Sequence, residues 1–265
     1  MNRIKYPVFS LGILLISGLS AFSQDHNFPF QTLHGAIVRG DSSKQDLALV
    51  FTGDEFADGG EHIARVLHEQ GVKGSFFFTG KFYRNPDFKE LIQALVREGH
   101  YLGAHSDQHL LYCSWENRDS LLISRKEFKD DLERNYGTME EFGISRNEAT
   151  YFLPPYEWYN DSIAAWCLET GLQLVNITYG TLSHADYTLP GSPAYRSSLE
   201  IYESILNYEK RHPAGLNGFI LLIHTGTAAE RTDKFYFYLD RLIRELKERA
   251  YRFKRIDEML KHNNI

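Results

Sequence analysis

The feature that most constrains this chain is a repeated change of period, in which short apolar runs alternate with longer stretches of helical spacing. Leu47–Phe51 is a continuous apolar run broken by Gly53, the pattern of a strand covered on both faces. Ile63, Val66 and Leu67 then recur at helical spacing and stop at Gly71. The cycle continues with a strand over Val72–Thr79, a helix marked by Phe88, Leu91, Ile92, Leu95 and Val96, and a strand over Tyr101–Ala104. A long helix is expected over Asp119–Phe142, a strand over Tyr151–Leu153, a helix over Asp161–Glu169 capped by Asn160 or Asp161, and a strand over Leu172–Ile177. A helix over Ser198–Tyr208, a strand over Phe219–Ile223, a helix over Phe235–Tyr251 and a last strand over Arg252–Ile256 complete the series. Alternation of this kind implies parallel βαβ units. About seven repeats point to an α/β fold closed as a distorted (β/α) barrel rather than an open sheet.

In a parallel barrel the chemistry sits at the carboxyl ends of the strands. The residues placed there are Asp54-Glu55, Thr79-Gly80, His105 to His109, Pro155-Tyr156-Glu157-Trp158, Thr178-Tyr179 and His224-Thr225. His105 and His109 are four apart, so both rings can face one divalent cation. With 11 histidines in the chain, one such pair is weak evidence alone. A carboxylate beside two imidazoles is a frequent catalytic zinc set with room for water, and Asp54 is the best third ligand, with Glu55 its nearest competitor.

These runs resemble a known family. Leu49-Val50-Phe51-Thr52-Gly53-Asp54, Lys73 through Gly80, Gly99 through His109, Leu153-Pro154-Pro155-Tyr156 and Leu221-Leu222-Ile223-His224 are similar, in order, to the motifs of the polysaccharide deacetylases, the NodB-homology group or carbohydrate esterase family 4. The resemblance extends from about residue 47 to 256. It implies hydrolysis of N- or O-acetyl groups on an acetylated glycan by a barrel that uses one divalent metal, usually zinc. Asp54, His105 and His109 would be the ligands and His224 the general acid. Asp186 lies about where the family places an aspartate that orients that histidine, and it is grouped with Tyr156 and Trp158 as facing the substrate. The backbone N–H of Tyr156 occupies the family's oxyanion-donor position.

The departures bear on turnover. The family carries a general-base aspartate where this chain has Gly53, and an arginine that pairs with it where this chain has Leu153. Losing both together avoids an uncompensated buried charge. Glu157 and Glu55 are the substitute bases, with Asp58 a weaker one; zinc hydroxide without a carboxylate partner is a further route. The alternative function is a noncatalytic glycan-binding protein on the same barrel. Tyr112, Trp115, Tyr156, Trp158 and Tyr159 follow rim motifs, where flat rings either stack on sugars or plug the barrel mouth. His184 either contacts substrate or sits in solvent.

Arg3 and Lys5 before the apolar run from Val8 to Phe22 read as an export signal over residues 1–23, giving a periplasmic or secreted protein with no stable membrane anchor after cleavage. Residues 24–45 are polar without a period and read as a lead-in to a catalytic domain over 46–265. Net charge is −6, with no basic face for nucleic acid. Cys113 and Cys167 are too few for a disulfide scaffold, and Cys167 reads as a small buried hydrophobe.

Overall fold

The computed structural model describes residues 30–261; the expected export signal lies outside them. Seven parallel strands curl into one sheet in the order β7-β6-β5-β4-β3-β8, with β9 beside β3. They are β3 (Asp46–Gly53), β4 (Ser75–Phe78), β5 (Tyr101–Ala104), β6 (Tyr151–Phe152), β7 (Gln173–Leu174), β8 (Phe219–His224) and β9 (Arg252–Phe253). This is the distorted parallel barrel expected from the alternation. Every residue of β4 and β5 is buried, and all of β3 after Asp46, which is why these strands read as continuous apolar runs.

Helices cover the outer face: α1 (Gly60–Glu69), α2 (Gly80–Arg84), α3 (Lys89–Arg97), α4 (Arg125–Glu140), α5 (Asp161–Glu169), α6 (Ser198–Arg211), α7 (Leu239–Glu248) and α8 (Ile256–Met259). Their limits follow local chemistry. Ser124 and Ser197 open α4 and α6 with reciprocal capping boxes to Glu127 and Glu200, and the Asn160 side chain caps α5. The long helix therefore starts at Arg125 rather than Asp119. The expected helix over Phe235–Tyr251 opens with a 3₁₀ turn, Phe235–Tyr238, before α7.

The polar lead-in contains more order than its lack of period suggests. Gln31–Leu33 (β1) and Ala36–Arg39 (β2) pair as an antiparallel hairpin. Asn176 N donates to Ile37 O at 2.9 Å, Thr178 Oγ1 to Val38 O at 2.5 Å, and Gly40 N to Gly218 O at 2.7 Å. The hairpin thus covers the gap between the β7 and β8 edges, which would otherwise bury unpaired backbone groups. Arg39, 1% exposed, is satisfied there by the carbonyls of Gly215 and Asn217, both at 2.8 Å, and by Tyr208 Oη at 3.0 Å. A three- or four-residue strand is too short to show a period.

The core beneath the site is aromatic. Phe51 stacks on Phe76 at 4.8 Å between ring centroids, and Phe78 on Phe82 at 4.0 Å. Each fully buried ring contributes about 2–3 kcal/mol. Cys113 and Cys167 are both buried and free, with no bridge between them. Among the described residues no helix is long and apolar enough to cross a membrane.

Candidate active site

A cavity of about 470 Å³ opens at the carboxyl ends of β3, β5 and β8, and it is lined by Thr52, Asp54, Glu55, Phe56, His105, His109, Trp115, Tyr156, Glu157, Tyr187 and His224, with Gly53 and Gly226. Of the residues expected at the rim, Asp54, Glu55, His105, His109, Tyr156, Glu157 and His224 are gathered in one place, whereas Thr79, Trp158, Thr178, Tyr179 and Thr225 do not line the cavity.

The loop after β5 carries the histidine pair in strained backbone, with φ of +70° at Ser106 and +57° at His109. Two buried side chains of α4 hold it. Asp131 accepts from Ser106 Oγ at 2.7 Å, Asp107 N at 2.8 Å and Gln108 N at 3.1 Å, and Asn135 Oδ1 accepts from His105 N at 3.0 Å. From the other side, Arg84 reaches Asp107 at 2.5 Å, and the N–H groups of Gly80 and Lys81 meet the carbonyls of Ser106 and Asp107. A Cβ at residue 80 would fall 1.8 Å from Asp107 Oδ1, so any side chain there would push the Asp107 carboxylate from its place. Asp131 and Asn135 were missed in the sequence; the only signal was their four-residue spacing on the helix face that also carries Phe128, Leu132 and Tyr136.

His105, 2% exposed, donates from Nδ1 to Leu153 O at 2.8 Å, which leaves Nε2 as a lone-pair donor. Burial, helped by the neighbouring His109, pushes its pKa well below the usual histidine value. Burial also pushes His109 down to about 4, against the pull of Asp54. The two rings lie 5.0 Å apart and His109 Nδ1 is 4.0 Å from Asp54 Oδ2. Asp54 also accepts from Thr79 Oγ1 at 2.9 Å and from the Lys81 ammonium at 3.0 Å. Among the described residues no three such donors converge into a ready-made metal cage, since Lys81 holds the carboxylate instead. The donor set itself suits a divalent cation: one carboxylate and two neutral imidazoles, one of them oriented by a carbonyl.

Across the cavity, His224 ends β8 and Asp186, 2% exposed, grips it twice. Oδ1 lies 2.6 Å from Nδ1, and Oδ2 accepts from the His224 backbone N at 2.9 Å. Burial works against the imidazolium, but the charge and hydrogen bond of Asp186 outweigh it, and the pKa of His224 is raised. Asp186 is thus a buried partner of His224, in keeping with the orienting aspartate that the resemblance implies, and at 2% exposed it does not face a substrate, which corrects its grouping with Tyr156 and Trp158. A fully buried Arg231 holds the loop after Asp186, donating to the carbonyls of Thr188 at 2.6 Å and Arg196 at 2.9 Å.

Glu157 follows Tyr156 in a turn where both are left-handed, with φ of +51° and +59°. Non-glycine residues occupy that region at a cost of about 1 kcal/mol or more each. The Glu157 side chain is half-buried, and burial raises its pKa to about 7, with His224 opposing and Asp186 reinforcing the shift. Asp58 is committed elsewhere, to Thr227 N at 2.7 Å, the Lys234 ammonium at 2.8 Å and Tyr236 Oη at 2.9 Å. Glu55 stands exposed on the rim.

The aromatic residues divide. Trp115 and Tyr156 are exposed at the mouth, their rings 5.7 Å apart, with Tyr156 4.4 Å from the His109 ring. Trp158 does not line the cavity: its Nε1 donates to Ser114 O at 3.1 Å, Arg118 lies 3.5 Å over its face, and it backs Trp115 at 5.4 Å. Tyr112 and Tyr159 are core residues, and His184 is half-buried.

Gly53 and Leu153, where the resemblance expects a base and its partner, are surrounded by hydrocarbon. A Cβ on Gly53 would meet the Phe82 ring at 2.7 Å and the Phe78 ring at 2.9 Å, and Leu153 is fully buried beside Ala48, Val50 and Phe77 in a core cluster.

Comparison with known proteins follows this geometry. The polysaccharide deacetylase family profile matches residues 39–175. An uncharacterized 30.6 kDa protein of Geobacillus stearothermophilus is 28% identical over 229 residues, 86% of this chain and 75% of the relative. A peptidoglycan-N-acetylglucosamine deacetylase of Bacillus cereus is 25% identical over 206 residues, 76% of this chain and 82% of the relative. Among solved structures, a family 4 carbohydrate esterase pseudoenzyme from Bacillus anthracis shares the fold with a TM-score of 0.65 at 20% identity, covering 87% of this chain and 70% of that one.

Proposed function

The chain belongs to the polysaccharide deacetylase family, and from that premise we propose that it removes N- or O-acetyl groups from an acetylated glycan with the help of one divalent metal ion, zinc being the ion that best suits the donors. The observation that carries the reading is the His224–Asp186 pair, 2.6 Å apart, opening onto the same cavity as Asp54, His105, His109 and Glu157. Asp54, His105 and His109 would hold the metal, which when bound polarises the acetyl carbonyl and acidifies water.

The chain's own residues supply the proton transfers. Asp186 keeps His224 protonated on Nε2, and that proton passes to the leaving amine or alkoxide as the bond to the acetyl carbon breaks. Glu157 replaces the base missing at Gly53: with a pKa near neutrality it accepts the proton of the attacking water and can release it afterwards. Tyr156 offers its backbone N–H toward the carbonyl oxygen, and its ring and Trp115 give flat surfaces for pyranose faces. The basic and apolar residues at the amino terminus support work outside the cytoplasm, in the periplasm or secreted.

A second reading, a noncatalytic glycan-binding protein on the same barrel, draws support from Gly53 and Leu153, where apolar packing leaves no room for the family's ion pair. Acetate release from a panel of acetylated oligosaccharides, with metal content measured in wild type and His105→Ala, decides between them. Acetate release that is lost on chelation and restored by zinc is expected. Glycan binding without acetate from metal-loaded protein overturns the first reading in favour of the second, and absence of metal from the wild type removes the ligand assignment.

A further inference from the structure

Asn176 is the polar exception in an apolar stretch, Leu174-Val175-Asn176-Ile177, whose side chains are all buried, Asn176 at 0% exposed. A position of that kind ordinarily takes hydrocarbon, and a buried amide there needs partners. Its backbone serves the fold: Asn176 N donates to Ile37 O, and Val175 bridges Ile37 in parallel. Its side chain serves the cavity. Nδ2 donates to Glu157 O at 3.0 Å and to Tyr179 Oη at 3.2 Å, while Oδ1 is buried with no partner among the described residues. The Glu157 carbonyl can only accept, so the amide nitrogen is the atom that faces it. The amide is thus kept in this core for its N–H groups, despite an unsatisfied acceptor that lowers stability.

The carbonyl it grips belongs to a strained turn. Tyr156 and Glu157 are consecutive left-handed residues, and neither is glycine. Glu157 N to Pro154 O and Trp158 N to Pro155 O, both at 3.2 Å, close the turn locally, and Asn176 holds it from a distant segment. A hydrogen bond on Glu157 O fixes the plane of the peptide between Glu157 and Trp158, and with it ψ of Glu157. Those backbone angles decide the side of the turn from which Cβ leaves, and here they deliver the carboxyl to the cavity that His224 also lines. Without the grip, a non-glycine residue relaxes to the right-handed or extended region and carries its side chain out toward water.

We propose that Asn176 is a positioning residue of the site: by holding the carbonyl of Glu157 it keeps the Glu157 carboxyl turned into the cavity. Its effect on turnover rests on the reading of Glu157 as the base; the placement itself does not. The groups that face the carboxyl there are His224, Asp186, Tyr179 and Tyr187. Asn176 acts through Glu157 and touches no reacting atom.

Asn176→Leu keeps about the same shape and removes the N–H groups. Thr178→Val is its control, since Thr178 Oγ1 donates to Val38 O at 2.5 Å on the same hairpin without touching Glu157. The first measurement needs no turnover: carbon-13 NMR follows the Glu157 carboxyl across pH in labelled full-length protein, with the resonance assigned by Glu157→Gln. We expect it to titrate at about 7 in wild type and in Thr178→Val, and about one pH unit or more lower in Asn176→Leu, where the carboxyl meets water. The second is a double-mutant cycle on acetate release. Asn176→Leu should lower kcat about fivefold in wild type, with KM within about twofold, and by less than about twofold in Glu157→Gln, where the carboxyl it places is already gone. A wild-type midpoint at the ordinary glutamate value, an unmoved midpoint in Asn176→Leu, the same fall in Thr178→Val, or an equal loss of kcat in both backgrounds would overturn the proposal. A lowered midpoint in a protein that releases no acetate would leave the placement standing and remove the deacetylase reading; acetate release with an unmoved midpoint would do the reverse. Should Asn176→Leu not fold, Asn176→Ser, too short to reach Glu157 O, is read by the same two measurements.

Discussion

The two sides of this cavity keep their shape by opposite means. The histidine loop is pinned by a polar network whose buried acceptors, Asp131 and Asn135, each find donors, while Gly53 is backed by the Phe82 and Phe78 rings and Leu153 is buried in a separate apolar cluster with Ala48, Val50 and Phe77. The contrast shows two ways of fixing the walls of one site. A buried charge is tolerable only with its partner, which the histidine loop supplies, whereas around Gly53 and Leu153 hydrocarbon fills the volume and no charge needs one. The surroundings of Gly53 are therefore packed rather than a hole awaiting one residue.

The largest effect is expected where the polar side is broken. Asp131→Ala strands two buried donors, Ser106 Oγ and Asp107 N, and the part-buried Gln108 N, and should cost about 3–5 kcal/mol in denaturant unfolding. Asp131→Asn, which keeps one acceptor oxygen, should cost less, and no cost for Asp131→Asn would mean that the carboxylate is not what holds the loop. Removing the proton donor comes next: His224→Ala should lower kcat/KM for acetate release about a hundredfold, near 2.7 kcal/mol, and should also lower stability by about 2–4 kcal/mol because it strands the buried Asp186 carboxylate. On the apolar side, Gly53→Asp should cost about 1–3 kcal/mol and restore nothing, because the carboxylate meets the Phe82 ring. If that single change raises acetate release, the packing account is wrong; combination with Leu153→Arg and Phe82→Ala tests whether the pair needs space made for it.

The smallest effect sharpens the comparison at Glu157, which belongs to neither side. Its carboxyl is raised from 4.5 to about 7, so kcat/KM should climb as pH rises through about 7 and the base deprotonates. Glu157→Gln should lose that limb and about tenfold in rate. The stability sign is opposite. A carboxyl whose folded pKa is raised contributes stability below its unfolded pKa that is lost as pH climbs through about 7. Glu157→Gln should therefore melt about 3 °C higher than wild type at pH 8 and show little difference at pH 4. A flat pH response in both measurements would remove Glu157 from the proton path.

Much of the fold was legible because its signals are local. Continuous runs such as Leu47–Phe51 and Phe219–Ile223 announce strands covered on both faces, and the glycines after α1 and α3 announce where helices stop. The β1–β2 hairpin was not legible, since its value comes from closing an edge made by β7 and β8, more than a hundred residues away. The cavity residues at strand ends were legible as a group from strand position, and Asp54, His105, His109, Glu157 and His224 do share one space. Their supports were not: Asp131, Asn135 and Arg231 look in sequence like ordinary surface polar residues, and only their burial reveals their work.

By itself, the sequence determined the order of strands and helices, the end of the barrel where chemistry must lie, and the absence of the Gly53 and Leu153 functional groups, because periodicity and residue identity are carried along the chain. Only the tertiary structure decided that Asp186 holds both the ring and the backbone of His224, that Trp158 backs Trp115 instead of lining the mouth, and that Phe82 already fills the space beyond Gly53. These depend on which side chains from distant segments meet in one volume, and how much of that volume each takes, quantities that no stretch of sequence contains.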